Sequence, residues 1–181
     1  MLKQKTTTKH KTKVLYNPIQ IDDCIFNIAD HFNQKYKKDI EHNLVFCPIL
    51  QGVVPFFSDL IKYINVEPYV EYLGISSYKG LEQGDFLVYK MPDPNLIKDK
   101  IVWIFDDIAD TGNTLQFAKQ TLLEYGALDV KTCTLLKKSI CLFPVDIYGF
   151  TLKNDNWIHG YGLDAPNGRG RTAPALYSST I

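Results

Sequence analysis

The sequence predicts an α/β protein built on a parallel, doubly wound sheet, and three observations carry that expectation. Two unbroken apolar runs, 44–50 and 101–105, have the composition of strands buried on both faces. Each is followed within a few residues by a segment with helical spacing, and the chain as a whole alternates strand, helix, strand, loop, strand, helix, strand. Between them the elements fill the 181 residues without a linker that would divide the chain.

The elements follow in order. Residues 1–13 carry five lysines (Lys3, Lys5, Lys9, Lys11 and Lys13) and no apolar periodicity, so a flexible basic tail is expected, with folded structure from Val14 onward. Ile21, Cys24, Ile25, Ile28, Ala29 and Phe32 recur at helical spacing and predict a helix over 21–36. Residues 44–50 form a strand, Pro55 to Ile64 an apolar helix, and Tyr69 to Ser77 a third strand. The polar stretch 79–93 has little periodicity, with a hairpin expected around Phe86 to Tyr89. A strand over 101–105 runs into a helix over 114–125, which Gly126 ends in the usual C′ place. Two more strands are expected at 130–136 and 147–150.

Composition narrows the classes of function. Apolar residues make up 45% and charged residues 22%, in the range of a globular domain, and the formal net charge is zero. No global field therefore favours nucleic acid or membranes. No apolar run approaches the roughly 18–20 residues that span a bilayer, and the N-terminal lysines precede no apolar segment of the secretory kind, so a cytoplasmic setting is expected. Cys24, Cys47, Cys133 and Cys141 are scattered without a Cys-x-x-Cys pair, which argues against zinc; Cys47 and Cys133 fall inside apolar strands.

The most informative segment is 102–115. Val102, Trp103, Ile104 and Phe105 lead into the adjacent carboxylates Asp106 and Asp107, and the loop Asp110-Thr111-Gly112-Asn113-Thr114 then opens a helix. A loop of small polar residues at a helix N-terminus offers backbone N–H groups to phosphate. Two acids beside such a cradle would repel it unless they meet sugar hydroxyls, a metal ion or a transferable proton. The ligand implied is phosphate, sugar and leaving group at once. In an open parallel sheet it would lie beyond the carboxyl ends of the strands, where Gln51, Asp106, Asp107 and Lys138 all fall.

This segment resembles the phosphoribosyl-pyrophosphate (PRPP) signature of the type I phosphoribosyltransferases. Three further segments are similar to the hypoxanthine-guanine branch of that family, so that the resemblance covers roughly residues 44–176. It implies a core over about 40–150 and a small hood from about 14–40 and 151–181, within one domain over 14–181. It implies that Asp106 and Asp107 meet ribose hydroxyls, that Asp110, Thr111, Gly112, Asn113 and Thr114 grip the 5′-phosphate, and that Asp110 is also the catalytic proton acceptor.

The first of these segments, 49–57, implies pyrophosphate binding at Leu50, Gln51 and Gly52, with a cis peptide bond between Leu50 and Gln51. Gln51 stands where many members of the family carry a lysine or arginine. In the second, Ser77 and Tyr78 would head a lid, with Gly80 and Gly84 as hinges. The third runs from Leu135 to Pro174. In it Lys138, which fits the register better than Lys137, would meet the purine 6-oxo group. Trp157 would stack on the base and Ile158 would meet its edge through the backbone. Asp164 would hold Mg²⁺, with Asp106 and Asp107 as further ligands, directly or through water. Arg171, with Arg169 as its rival, would meet pyrophosphate. His159 falls where an aliphatic residue is common.

The activity implied is purine salvage: transfer of the phosphoribosyl group from PRPP to N9 of hypoxanthine or guanine, giving IMP or GMP and pyrophosphate, in a homodimer or homotetramer. Two alternatives stand beside it. A xanthine-preferring enzyme would share every phosphate contact. A PRPP-sensing RNA-binding regulator would need a basic face, which the folded part lacks. No Gly-x-Gly-x-x-Gly follows a strand, which argues against a dinucleotide-binding protein.

Overall fold

The computed structural model describes residues 12–36, 43–77, 86–153 and 156–179. Among the described residues the main sheet has seven strands. The path runs β5 (Phe86–Lys90), β4 (Leu73–Ser77), β2 (Leu44–Leu50), β6 (Ile101–Ala109), β7 (Asp129–Lys138), β8 (Ile147–Leu152), and β3 (Tyr69–Val70) also pairs with β2. All neighbours are parallel except the β4–β5 hairpin.

The two apolar runs lie where their composition demands. β2 and β6 pair side by side at the centre of the sheet, and their apolar residues are buried on both faces. One face is covered by α1 (Pro18–Lys35) and α2 (Val54–Leu60), whose Phe32, Phe56 and Phe57 pack with Phe46, Trp103 and Phe105. Trp103 is fully buried and satisfies its indole by donating to the Tyr36 hydroxyl at 2.7 Å. On the other face α4 (Asn113–Glu124) lays Leu115, Ala118 and Leu122 on Val102, Ile104 and Val130, near the short α3 (Pro94–Ile97). No helix among the described residues is long and apolar enough to cross a membrane.

A second, three-stranded antiparallel sheet pairs β1 (Thr12–Tyr16) with β10 (Leu176–Ser179) and β10 with β9 (Trp157–His159). Thr12 and Lys13, expected in the flexible tail, are therefore strand residues, held by pairing with Ser179 and Ser178. Residues 18–35, expected with the hood, lie instead against the main sheet, because the Ile21, Ile25, Ile28 and Phe32 face is buried in its core.

Boundaries also move for identifiable reasons. α1 starts three residues before Ile21: Asn17 accepts from the Gln20 amide while the Gln20 side chain accepts from the Asn17 amide, and Pro18 takes the first turn. The segment 69–77 divides into β3 and β4, and α2 stops at Leu60 rather than Ile64. β6, β7 and β8 extend beyond their apolar runs, because ladder pairing carries on into polar residues.

Candidate functional site

β6 carries Asp106 and Asp107 past the apolar core, and the chain then turns through Asp110 and Thr111 into α4. Gly112 makes that turn at φ 90°, a backbone that favours glycine, and a Cβ here would strike Phe143 at 2.3 Å. The first N–H groups of α4 thus open at the strand ends. β7 brings Lys138 to the same level. The loop after β2 brings Leu50, Gln51 and Gly52, and the Leu50–Gln51 peptide is cis, as the resemblance implies.

These pieces line one cavity of about 360 Å³. Gln51, Gly52, Asp106, Asp107, Asp110, Thr114 and Lys138 form one wall; Trp157, Ile158, Asp164 and Arg171 form the other. Leu50 contributes too, as do Ile49, Ile75, Ile108 and Leu163, apolar walls that nothing in the sequence set apart from ordinary core. Thr111, Gly112 and Asn113 stand in the adjoining turn. Ser77 ends β4, opposite Phe86 of β5, whereas Tyr78, Gly80 and Gly84 lie outside the described residues.

Charge is distributed unevenly between the walls. The Lys138 Nζ, largely buried, lies 2.9 Å from the Asp110 carboxylate, which reaches into the open cavity. Asp106 and Asp107 sit side by side, and the Asp107 amide donates to Asp106 at 3.0 Å. Burial, reinforced at Asp106 by repulsion from Asp107, raises both carboxyls above the ordinary carboxylate range, Asp107 to about 6. Asp107 also presses on Gly52 so closely that a Cβ there would lie 1.7 Å from its oxygen, so a larger residue would displace that carboxylate.

On the opposite wall Arg171 pairs with Asp164 at 3.2 Å and donates to the Gly162 carbonyl at 2.6 Å. Arg169 is exposed in the neighbouring turn and is not among the residues lining the cavity. Trp157 keeps its ring partly exposed and donates its indole N–H to the Asp164 carbonyl at 2.7 Å. β9 is the edge of the small sheet, so a row of its backbone groups points away from β10. His159 stacks on Tyr177 with ring centroids 5.4 Å apart, and it does not line the cavity.

Among the described residues no group of three or more His, Cys, Asp or Glu side chains is arranged to hold a metal ion without help from a ligand. The three carboxylates that line the cavity, Asp106, Asp107 and Asp164, would instead suit a hard cation that keeps water and phosphate oxygens as its remaining ligands. The larger cavity of about 530 Å³ lies elsewhere, between α1 and β8, and contains none of these groups.

Comparison with known proteins agrees with this geometry. The phosphoribosyl transferase domain model matches residues 11–166. The chain is 32% identical over 165 residues to the hypoxanthine-guanine phosphoribosyltransferase of Lactococcus lactis, covering 89% of this chain and 87% of that protein. It is 31% identical over 168 residues to the hypoxanthine-guanine-xanthine phosphoribosyltransferase of Tritrichomonas foetus, covering 91% and 89%. The crystal structure of a hypoxanthine-guanine phosphoribosyltransferase from Bacillus anthracis superposes with a TM-score of 0.83 at 26% identity, over 96% of this chain and all of that one. With the PRPP signature on β6 and a mostly parallel sheet that presents it at the strand ends, the chain belongs to the type I phosphoribosyltransferase family and resembles its hypoxanthine-guanine members.

Proposed function

We propose that this cleft transfers the 5-phosphoribosyl group from PRPP to N9 of hypoxanthine or guanine, releasing pyrophosphate, as a step of purine salvage. The observation that carries the reading is the Lys138–Asp110 pair, 2.9 Å apart within the PRPP cavity. O6 and N7 are neighbours on one edge of a 6-oxopurine, and a lysine beside an aspartate offers that edge a donor and an acceptor together. An adenine amino group would face the ammonium with no acceptor, a mismatch that buried sites reject strongly.

The assignments follow from position. Asp106 and Asp107 meet the ribose hydroxyls. The turn from Asp110 to Thr114 and the start of α4 take the 5′-phosphate. Trp157 stacks on the base, a contact worth roughly 1–3 kcal/mol, and the open backbone edge at Ile158 meets the purine rim. Leu50, Gln51 and Gly52 face pyrophosphate through their backbone. Arg171, which lines the cavity, is the arginine we assign to pyrophosphate in preference to Arg169, and it offsets the absence of a cation at Gln51. Ser77 and Tyr78 are assigned to a lid that keeps water from the ribosyl centre.

In the reaction the N9 lone pair forms a bond to ribose C1 as the bond from C1 to the pyrophosphate oxygen breaks. Asp110 takes the N7 proton as N9 attacks, so that no positive charge builds up on the ring and the purine of the product is neutral. Mg²⁺ is the cofactor in this reading; Asp164, with Asp106 and Asp107 directly or through water, would hold it. When bound it spreads the charge of the leaving pyrophosphate. The reading includes a homodimer or homotetramer, with Val54 and Ile61, exposed on and just after α2, as available apolar surface. A cytoplasmic location fits four cysteines that are all free.

The test is a PRPP- and Mg²⁺-dependent nucleotide assay with hypoxanthine, guanine, xanthine, adenine and orotate in parallel. Turnover of 6-oxopurines alone is the expected outcome. Xanthine belongs in the panel because the Tritrichomonas foetus relative includes it in its name. Turnover of adenine or orotate would remove Lys138 from base recognition, and PRPP binding without turnover of any base would turn the reading to a sensor.

A further inference from the structure

Gly160, Tyr161 and Gly162 form a turn in which three consecutive residues have positive φ, 92°, 48° and 96°. Two glycines adopt this backbone freely, but a tyrosine does so only where its surroundings hold it. What holds it is legible. The Tyr161 ring is buried in the main core, and its hydroxyl donates to the Asp59 carboxylate at 2.5 Å, with the Pro55 carbonyl at 3.4 Å. Both acceptors belong to α2, the helix that opens directly after Gln51, Gly52 and Val53. Burial and Asp59 push the phenol up, so it remains a donor at every pH at which the protein would be assayed.

The same turn is fastened to the cleft on its other side. A Cβ on Gly162 would come within 2.0 Å of the Gly52 carbonyl, so the turn and the loop after β2 are in direct contact. The Gly162 carbonyl accepts from Arg171, and the Gly162 amide donates to the Arg171 carbonyl at 2.9 Å. Two residues after Gly162 the chain presents Asp164. Neither Tyr161 nor Asp59 lines the cavity, so neither acts on a substrate directly.

We propose that Tyr161 is a positioning residue whose hydrogen bond to Asp59 pins the 160–162 turn to α2 and so fixes Asp164 and Arg171 at the distance from the 50–52 loop that pyrophosphate requires. This rests on reading the cleft as a pyrophosphate site. The tyrosine locks together two pieces of chain about a hundred residues apart that must face one leaving group from opposite sides.

Tyr161→Phe removes the hydroxyl and leaves the ring in the core. In the full-length protein, calorimetric titration with inorganic pyrophosphate and Mg²⁺ should show about tenfold weaker binding, the scale of one hydrogen bond to a charged group. The KM for PRPP should rise in parallel, while kcat and the KM for the purine base stay within about threefold. Hydrogen exchange at the Tyr161 and Gly162 amides should accelerate in the variant. Asp59→Ala should reproduce these effects, and Asp59→Asn, which keeps an acceptor, should recover most of the pyrophosphate affinity. If Tyr161→Phe does not fold, the Asp59 pair carries the same comparison. Pyrophosphate affinity unchanged in both Tyr161→Phe and Asp59→Ala overturns the inference alone. A loss of base and pyrophosphate affinity together, in step with a fall in Tm and with no recovery by Asp59→Asn, makes the contact merely structural and also overturns it. Wild-type protein that binds no pyrophosphate overturns the underlying reading and this inference together.

Discussion

Asp106, Asp107 and Asp110 project from the end of a central strand buried on both faces, whereas Trp157, Asp164 and Arg171 hang from a three-residue edge strand and a left-handed turn. The first wall is held by a ladder of parallel pairing with β2 and β7 and by two core clusters. The second is held by a small antiparallel sheet, a handful of side-chain hydrogen bonds, and the packing of Ile158, Tyr161, Leu163 and Leu176 against one of those clusters. On the proposed reading, rigid support goes to the groups assigned to ribose and to proton transfer, where small displacements cost most. Lighter support goes to the groups that the same reading assigns to base and pyrophosphate, which must let both come and go.

If that division is right, substitutions on the two walls should fail in different kinetic parameters. Asp110→Ala should give the largest effect, lowering kcat by about 10²–10⁴-fold while the KM for PRPP moves only a few-fold; steady-state kinetics with an unchanged kcat would take Asp110 out of the mechanism. Trp157→Ala should act on base affinity, weakening it by roughly 5–150-fold, the equivalent of the stacking energy. Trp157→Phe, which keeps a stacking face but loses the bond to the Asp164 carbonyl, should recover most of it, and failure to recover would shift the role from stacking to that bond. Arg171→Ala should raise the KM for PRPP by about tenfold, a smaller effect of the size expected for one charged contact. Arg169→Ala should stay within about twofold, and the reverse order would exchange the two arginines.

The smallest effect is on stability, and it falls on the first wall. Burial raises Asp107 to about 6, so between the unfolded value near 4 and that value the folded state binds more protons than the unfolded state. Its contribution to stability is therefore present at low pH and is lost as pH rises through about 6. Asp107→Asn should remove this loss and raise Tm by about 2–4 °C at pH 7.5, the equivalent of about 1 kcal/mol in a chain of this size. The gain should shrink toward pH 4. Thermal melts across that range check it, and a Tm that falls at neutral pH would mean the carboxylate is structurally required.

The first wall was also the more legible from sequence. An apolar run, two acids and a small polar loop specify β6, its turn and α4 almost without reference to the rest of the chain. The lighter wall depends on pairing between distant segments. β1, β9 and β10 are three to five residues long, with mixed burial, and become strands only because segments far apart in sequence meet. The Lys138–Asp110 pair depends on the registers of β6 and β7 and on the turn after β6, which spacing alone does not give. Tyr161 was in plain view between two glycines, but nothing local points to Asp59, 102 residues earlier. The start of α1 could have been read, since Asn17, Pro18 and Gln20 spell a capping box.

The strand that carries Trp157 and Ile158 sits beside β10, which in turn sits beside β1, and Thr12 lies opposite Ser179. The pocket proposed for the purine is thus suspended from a seam between the first and last strands described. Anything attached near either extremity, such as an affinity handle, a fused partner or a proteolytic trim, pulls on that seam. Its influence would register first in discrimination among bases, while the proposed hold on ribose and 5′-phosphate, anchored in the central sheet, would be the last to change.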